Sequence, residues 1–71
     1  MNATYFTVTK QITDALMNDP RTKDLVIDVI YNQGMVILTG TVRSAEVAQA
    51  AEEIARAQPG VVIVTNELKV A

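Results

Sequence analysis

The stretch LVIDVIYNQGMVILTGTV, residues 25–42, decides the fold of this chain. Apolar and polar residues alternate on both sides of Gln33-Gly34, a pattern typical of two β-strands joined by a two-residue turn. Folding the second run back about the turn gives one apolar face, with the pairs Tyr31–Val36, Val29–Leu38 and Ile27–Gly40. The opposite face carries the pairs Asn32–Met35, Ile30–Ile37 and Asp28–Thr39. Because the two faces differ consistently, the sequence predicts this hairpin in a single register.

Helical periodicity flanks the hairpin. From about Thr7 to Asn18 an apolar stripe recurs at helical spacing, and Pro20 closes the segment. Ser44 is a candidate N-cap for a second helix that runs to about Gln58. After Pro59-Gly60, residues 61–70 alternate again and predict a third strand.

These elements predict an α+β domain with the order αββαβ, a three-stranded mixed sheet and both helices packed on one face. The third strand follows a strand and a helix, so it should run parallel to the second strand. A place beside the second strand is favoured, and a place beside the first stays open. Gly40 is expected to lie under a helix, so that Gly40→Val costs about 1–3 kcal/mol through overpacking. The predicted core comprises Val8, Ile12, Leu16, Ile27, Val29, Val36, Leu38, Val42, Val47, Ile54, Val64, Leu68 and Val70.

Length and composition limit the possible functions. The 71 residues make room for one domain, residues 1–71, and the absence of cysteine excludes disulfides and thiolate metal sites. A net charge of −2 argues against nucleic acid as a partner. The chain is expected to be cytoplasmic if it is complete, and periplasmic or envelope-associated if it is part of an exported protein.

The residues offer little for catalysis. The chain lacks histidine as well as cysteine, the two commonest sources of bases and nucleophiles. Glu52 and Glu53 are adjacent on the predicted helix and do not face each other. The aspartates are dispersed rather than set in a metal-binding loop. We therefore expect no enzyme activity, no metal and no cofactor.

An exposed apolar surface is the strongest functional signal. The hairpin register turns Ile30, Met35 and Ile37 away from the helices, and large apolar residues in such a position mark a partner or membrane surface. Tyr31 and Ile63 fall near the same end, which completes a predicted docking face of Ile30, Tyr31, Met35, Ile37 and Ile63. A second, weaker hypothesis is an anion site at Arg43 and Ser44, where the second helix begins.

A family resemblance adds to these residues. Ala15-Leu16, Asp19-Pro20, Ile27-x-Val29 and Gly34-x-Val36-x-Leu38-x-Gly40-x-Val42 resemble the first half of a BON domain. Ile54-Ala55, Pro59-Gly60-Val61, Val64 and Asn66-x-Leu68-x-Val70 resemble its second half. The resemblance implies the αββαβ fold and a non-catalytic role, with phospholipid as the binding partner proposed for a family found in bacterial envelope and osmotic-stress proteins. Thr22 stands where the family usually has an apolar residue, which predicts a looser loop after the first helix.

Three functions follow as hypotheses. The first is a non-catalytic module that docks onto a phospholipid membrane or the cell envelope. The second is a protein-interaction module, including a homodimer through the open sheet face. The third is a regulatory domain of a larger protein that senses a small ligand or an ion.

Overall fold

The computed structural model describes residues 3–71, with side chains from Thr7 onward. Two helices and three strands follow one another in the predicted order αββαβ. Their bounds are α1 Ala3–Asn18, β1 Ile27–Asn32, β2 Met35–Val42, α2 Ala45–Arg56 and β3 Ile63–Val70. Both helices pack on one face of the sheet, α1 over β1 and α2 over β2 and β3. The predicted α+β class is confirmed.

The hairpin has the predicted register at every position from Ile27–Gly40 to Asn32–Met35. Gln33 and Gly34 have φ angles of 51° and 88°. Positive φ at both central residues defines the tight turn whose twist matches that of the flanking strands. The sheet order is β1-β2-β3, with β3 parallel to β2. The favoured position of the third strand is therefore confirmed.

The ends of three elements differ from the prediction. Helix α1 begins at Ala3 rather than Thr7, because an established helix gains one hydrogen bond for each residue it adds. Ser44 caps α2 as predicted, and its Oγ accepts a hydrogen bond from the Val47 N–H at 3.2 Å. Helix α2 ends two residues early, at Arg56, and β3 begins at Ile63. The turn before β3 extends through Val62, whose N–H donates to the Gly34 carbonyl at 2.7 Å.

The core lies between the sheet and both helices. Seven of the thirteen predicted core residues are fully buried, and Ile27, Val29, Ile54, Val64 and Leu68 pack against them partly buried. Val70 is the exception, because it ends an edge strand and remains 53% exposed. Ala50, Ala51 and Ala55 are buried as well, since alanine lets α2 approach the sheet closely.

The loop after α1 is not loosened by Thr22, contrary to expectation. Thr22 is fully buried, and its Oγ1 donates a hydrogen bond of 2.5 Å to the Leu16 carbonyl in the last turn of α1. The last four carbonyls of a helix have no partner within the helix. The threonine hydroxyl satisfies one of them, so this polar residue fixes the loop to the helix.

Gly40 is crowded for a different reason from the one predicted. Its φ is +139°, and a Cβ built there lies 2.9 Å from the Val26 carbonyl oxygen. The obstacle is thus the backbone leading into β1 and not a helix. A change of side-chain rotamer cannot relieve this contact, because a Cβ is fixed relative to its own backbone and the opposing atom is a backbone oxygen.

Candidate docking surface

The face of the sheet opposite the helices is apolar at its hairpin end. Ile30, Met35 and Ile63 are 48%, 40% and 56% exposed, and Ile37 is half-buried among them. The four residues occupy all three strands, and we call them the hairpin patch. Large apolar side chains gathered in this way on a domain surface are typical of an interaction site.

The strand register makes the patch continuous. Ile30 on β1 is opposite Ile37 on β2, and Met35 on β2 is opposite Ile63 on β3. Neighbouring strands of a sheet lie about 4.7–4.9 Å apart, so large side chains directly opposite each other on one face are in contact. The patch therefore presents one apolar surface. The uncharged turn Gln33-Gly34 lies beside it.

The other half of the same face is polar. Asp28, Thr39 and Glu67 lie in one row across the three strands, and Thr41 is paired with Lys69 in the next. Two carboxylates thus border the hairpin patch on the side away from the turn. This acidic row is the boundary of the hairpin patch on the side away from the turn.

Tyr31 does not belong to this surface, although the sequence placed it there. Its side chain is on the helix-facing side and buried, and its hydroxyl donates a 3.0 Å hydrogen bond to the Gly60 carbonyl. The tyrosine closes the end of the core and joins β1 to the turn before β3. Val62 falls within the predicted strand of residues 61–70, yet it lies in the turn before β3 and is largely exposed beside Gly34.

Arg43 and Ser44, the predicted anion site, lie at the opposite end of the sheet. Arg43 is exposed, and within residues 3–71 no ion pair ties it to a carboxylate. The Ser44 hydroxyl already accepts the Val47 N–H as the helix cap. Anion binding here stays a prediction, and the cap alone accounts for the serine.

Charged residues near α1 are arranged in pairs. Arg21 donates hydrogen bonds to both carboxylate oxygens of Asp19, at 3.0 and 2.9 Å. These bonds lower the pKa of Asp19 from its ordinary 3.8 to about 2. Arg21 also reaches Glu53 on α2, with 3.9 Å between Nη1 and Oε1. The pairs are exposed to solvent, and each contributes little to stability.

A second exposed apolar surface is an alternative docking site to the hairpin patch. A groove of about 360 Å³ runs between the end of α1 and the start of β1, with Leu16 and Leu25 in its lining. Met17 and Val26 stand in its walls, 60% and 86% exposed. Lys23 and Asp24 place both signs of charge at this groove. This groove is the natural comparison for any test of the patch.

The described residues contain no group of three histidine, cysteine or acidic side chains that could hold a metal ion. From Ala3 onward, no helix is both long and apolar enough to cross a membrane.

The sequence matches a known protein family. A family model described as BON domain matches residues 6–71, nearly the whole chain. No curated protein matches the sequence.

Proposed function

The chain belongs to the BON domain family, and from this premise we propose that it is a non-catalytic module that docks onto a phospholipid membrane, such as that of the cell envelope, through the hairpin patch. BON domains are phospholipid-binding modules and are generally non-catalytic. The observation that carries the proposal is the continuous patch of exposed apolar side chains on all three strands.

The size of the patch predicts weak, reversible docking. Full burial of one such side chain is worth roughly 1.5–3 kcal/mol. Three of the four residues are about half exposed and Ile37 is less exposed, so inserting them into the lipid interface contributes roughly 3–5 kcal/mol. That is comparable to the binding of a single lipid anchor, which holds a protein at a membrane only transiently. Stable attachment would need a second contact.

A homodimer through this face is a weaker explanation, because the patch is small. At roughly 25 cal/mol per Å², the same energies correspond to an apolar area of roughly 100–200 Å². A stable protein interface buries about 800 Å² on each partner. A membrane sets no such minimum, since each side chain can partition independently into the lipid. The acidic row of Asp28 and Glu67 would also meet its own copy in many face-to-face arrangements.

The charges predict which lipids are preferred. The chain has a net charge of −2, and Asp28 and Glu67 lie next to the patch. Anionic lipid headgroups therefore repel the domain, whereas zwitterionic headgroups do not. We expect binding to zwitterionic vesicles to persist in high salt, because apolar contacts are not screened.

Vesicle flotation with two matched double variants tests the proposal. Ile30→Ser with Met35→Ser removes two exposed residues of the patch, and Val26→Ser with Met17→Ser removes two exposed apolar residues of the groove. We expect the wild type and the groove variant to float with phosphatidylcholine vesicles in 0.5 M NaCl, where the Debye length is about 4 Å. The patch variant should lose about 10- to 100-fold in partitioning.

Loss of flotation in the groove variant alone would move the docking site to the groove. A wild type that ignores vesicles and sediments as a dimer would favour self-association. Circular dichroism of both variants verifies that the fold is retained.

A further inference from the structure

Strand β3 has no neighbouring strand on its outer side. It lies at the edge of the sheet, none of its eight residues is fully buried, and Ile63, Val64, Leu68 and Val70 make it strongly apolar. Such an edge offers unpaired backbone groups to another strand and usually carries a device that prevents its pairing.

The bonds at both ends of β3 define which backbone groups face outward. The N–H of Ile63 donates to the Gly34 carbonyl, and the N–H of Ala71 donates to the Val42 carbonyl. The N–H groups of odd-numbered residues therefore point towards β2. Because these directions alternate along a strand, the N–H of Leu68 points to the open side.

The Asn66 side chain occupies this open side. The N–H of Leu68 donates to Asn66 Oδ1 at 3.0 Å. Asn66 Nδ2 in turn donates to the Ala48 carbonyl on α2 at 2.9 Å and to Glu52 Oε1 at 3.2 Å. One side chain thus satisfies an outward backbone donor of β3 and is itself held in place from the helix.

We propose that Asn66 blocks the β3 edge at Leu68, and that this closure of one outward donor prevents a second copy of the chain from adding to the sheet through β3. Oδ1 lies on the donor that an incoming strand would need, while the Nδ2 of the same amide attaches the strand to α2. An amide suits this position because it both donates and accepts. A purely apolar residue would leave the Leu68 N–H open to another chain.

Two substitutions separate closure of the edge from attachment of the helix. Asn66→Val keeps a good strand former and removes both functions. Asn66→Asp keeps an oxygen that accepts the Leu68 N–H, but it cannot donate to Ala48 and it repels Glu52. A role limited to attaching α2 would be lost in both variants, whereas closure of the edge would be lost only in the valine variant.

Amide hydrogen exchange and sedimentation of the full chain provide the readouts. In the wild type the Leu68 amide should exchange about tenfold more slowly than the Val64 amide, which points to the same side without this acceptor. In Asn66→Val this difference should disappear and the mass should rise with concentration above the 7.7 kDa monomer. Asn66→Asp should keep the slow Leu68 amide and remain monomeric.

Two results would overturn the proposal. One is a wild-type Leu68 amide that exchanges as fast as that of Val64. The other is an Asn66→Val protein that stays monomeric at millimolar concentration. If Asn66→Val does not fold, Asn66→Ala tests the same loss of the acceptor, and the comparison of amides in the wild type stands independently of either variant.

Discussion

Replacing Gly40 by alanine should destabilise the domain strongly, although it adds a single methyl group. The new Cβ would lie 2.9 Å from the Val26 carbonyl oxygen, closer than real Cβ contacts allow. It would also have to adopt a φ of +139°, which is strained for any residue but glycine. The two effects act together, because the backbone shift that relieves the contact disturbs the pairing of β1 with β2.

The magnitude follows from both sources. A residue in a disfavoured backbone region costs about 1–3 kcal/mol, and overpacking costs a similar amount. Because one backbone shift relieves part of both costs, we expect less than their full sum, a loss of about 2–4 kcal/mol in the free energy of unfolding. The total free energy of unfolding of a domain of this length is only about 4–10 kcal/mol. The melting temperature should fall by about 10–30 °C.

Thermal and urea unfolding followed by circular dichroism measures the effect. Thr39→Ala is the matched control, because it alters the neighbouring position on the same strand without a positive φ, and it should shift the midpoint only slightly. A Gly40→Ala protein that melts within about 3 °C of the wild type would show that β1 can move away at no cost. In that case the backbone contact with Val26 does not constrain residue 40.

Two further predictions concern the loop after α1. Thr22→Val should lower the free energy of unfolding by about 1–3 kcal/mol, because the Leu16 carbonyl loses a buried partner. Thr22→Ser keeps a hydroxyl and should largely preserve the stability. Equal urea midpoints for the wild type and both variants would contradict this prediction. The lowered pKa of Asp19 means that its carboxylate stabilises the fold above its ordinary pKa of 3.8, and that this contribution is lost as the pH falls towards about 2. Asp19→Asn should therefore flatten the fall in stability between about pH 4 and pH 2, and an unchanged pH profile would show that the pair with Arg21 does not form in solution.

The hairpin could be predicted residue by residue because two independent signals agree there. The turn dipeptide Gln33-Gly34 sets the register, and the alternation on either side is consistent with that register alone. Three members of the hairpin patch, Ile30, Met35 and Ile37, follow from the same register. Ile63, the fourth member, follows once β3 is placed beside β2 and parallel to it, because this pairing puts Ile63 opposite Met35.

Features that depend on long-range contacts were beyond the sequence pattern. The hairpin register puts Tyr31 on the apolar, helix-facing side, and its nearness to the hairpin end is a poor reason to add it to the docking face. What the pattern does not contain is the bond from its hydroxyl to the Gly60 carbonyl, 29 positions away. The contact of Gly40 with Val26 depends on how β1 enters the sheet, which periodicity does not describe. One feature of the sequence distinguishes Asn66: it is a polar residue between the apolar Val64 and Leu68 on the helix-facing side of the strand.

The extent of the patch also needed the structure. Apolar content alone identifies Met17 and Val26 as readily as Met35 and Ile63. The assembled sheet separates them, because the patch residues lie side by side on one face while the other two border a groove at the opposite end of β1.

Paramagnetic relaxation from spin-labelled zwitterionic bicelles tests the central claim most directly, because it maps the lipid-facing surface of the unmodified chain. If the hairpin patch docks, the amides of Ile30, Met35 and Ile63 should broaden first, together with those of the Gln33-Gly34 turn. The amides of α2 should remain sharp. Broadening centred on Met17 and Val26, or no broadening anywhere at saturating lipid, would contradict docking through the hairpin patch.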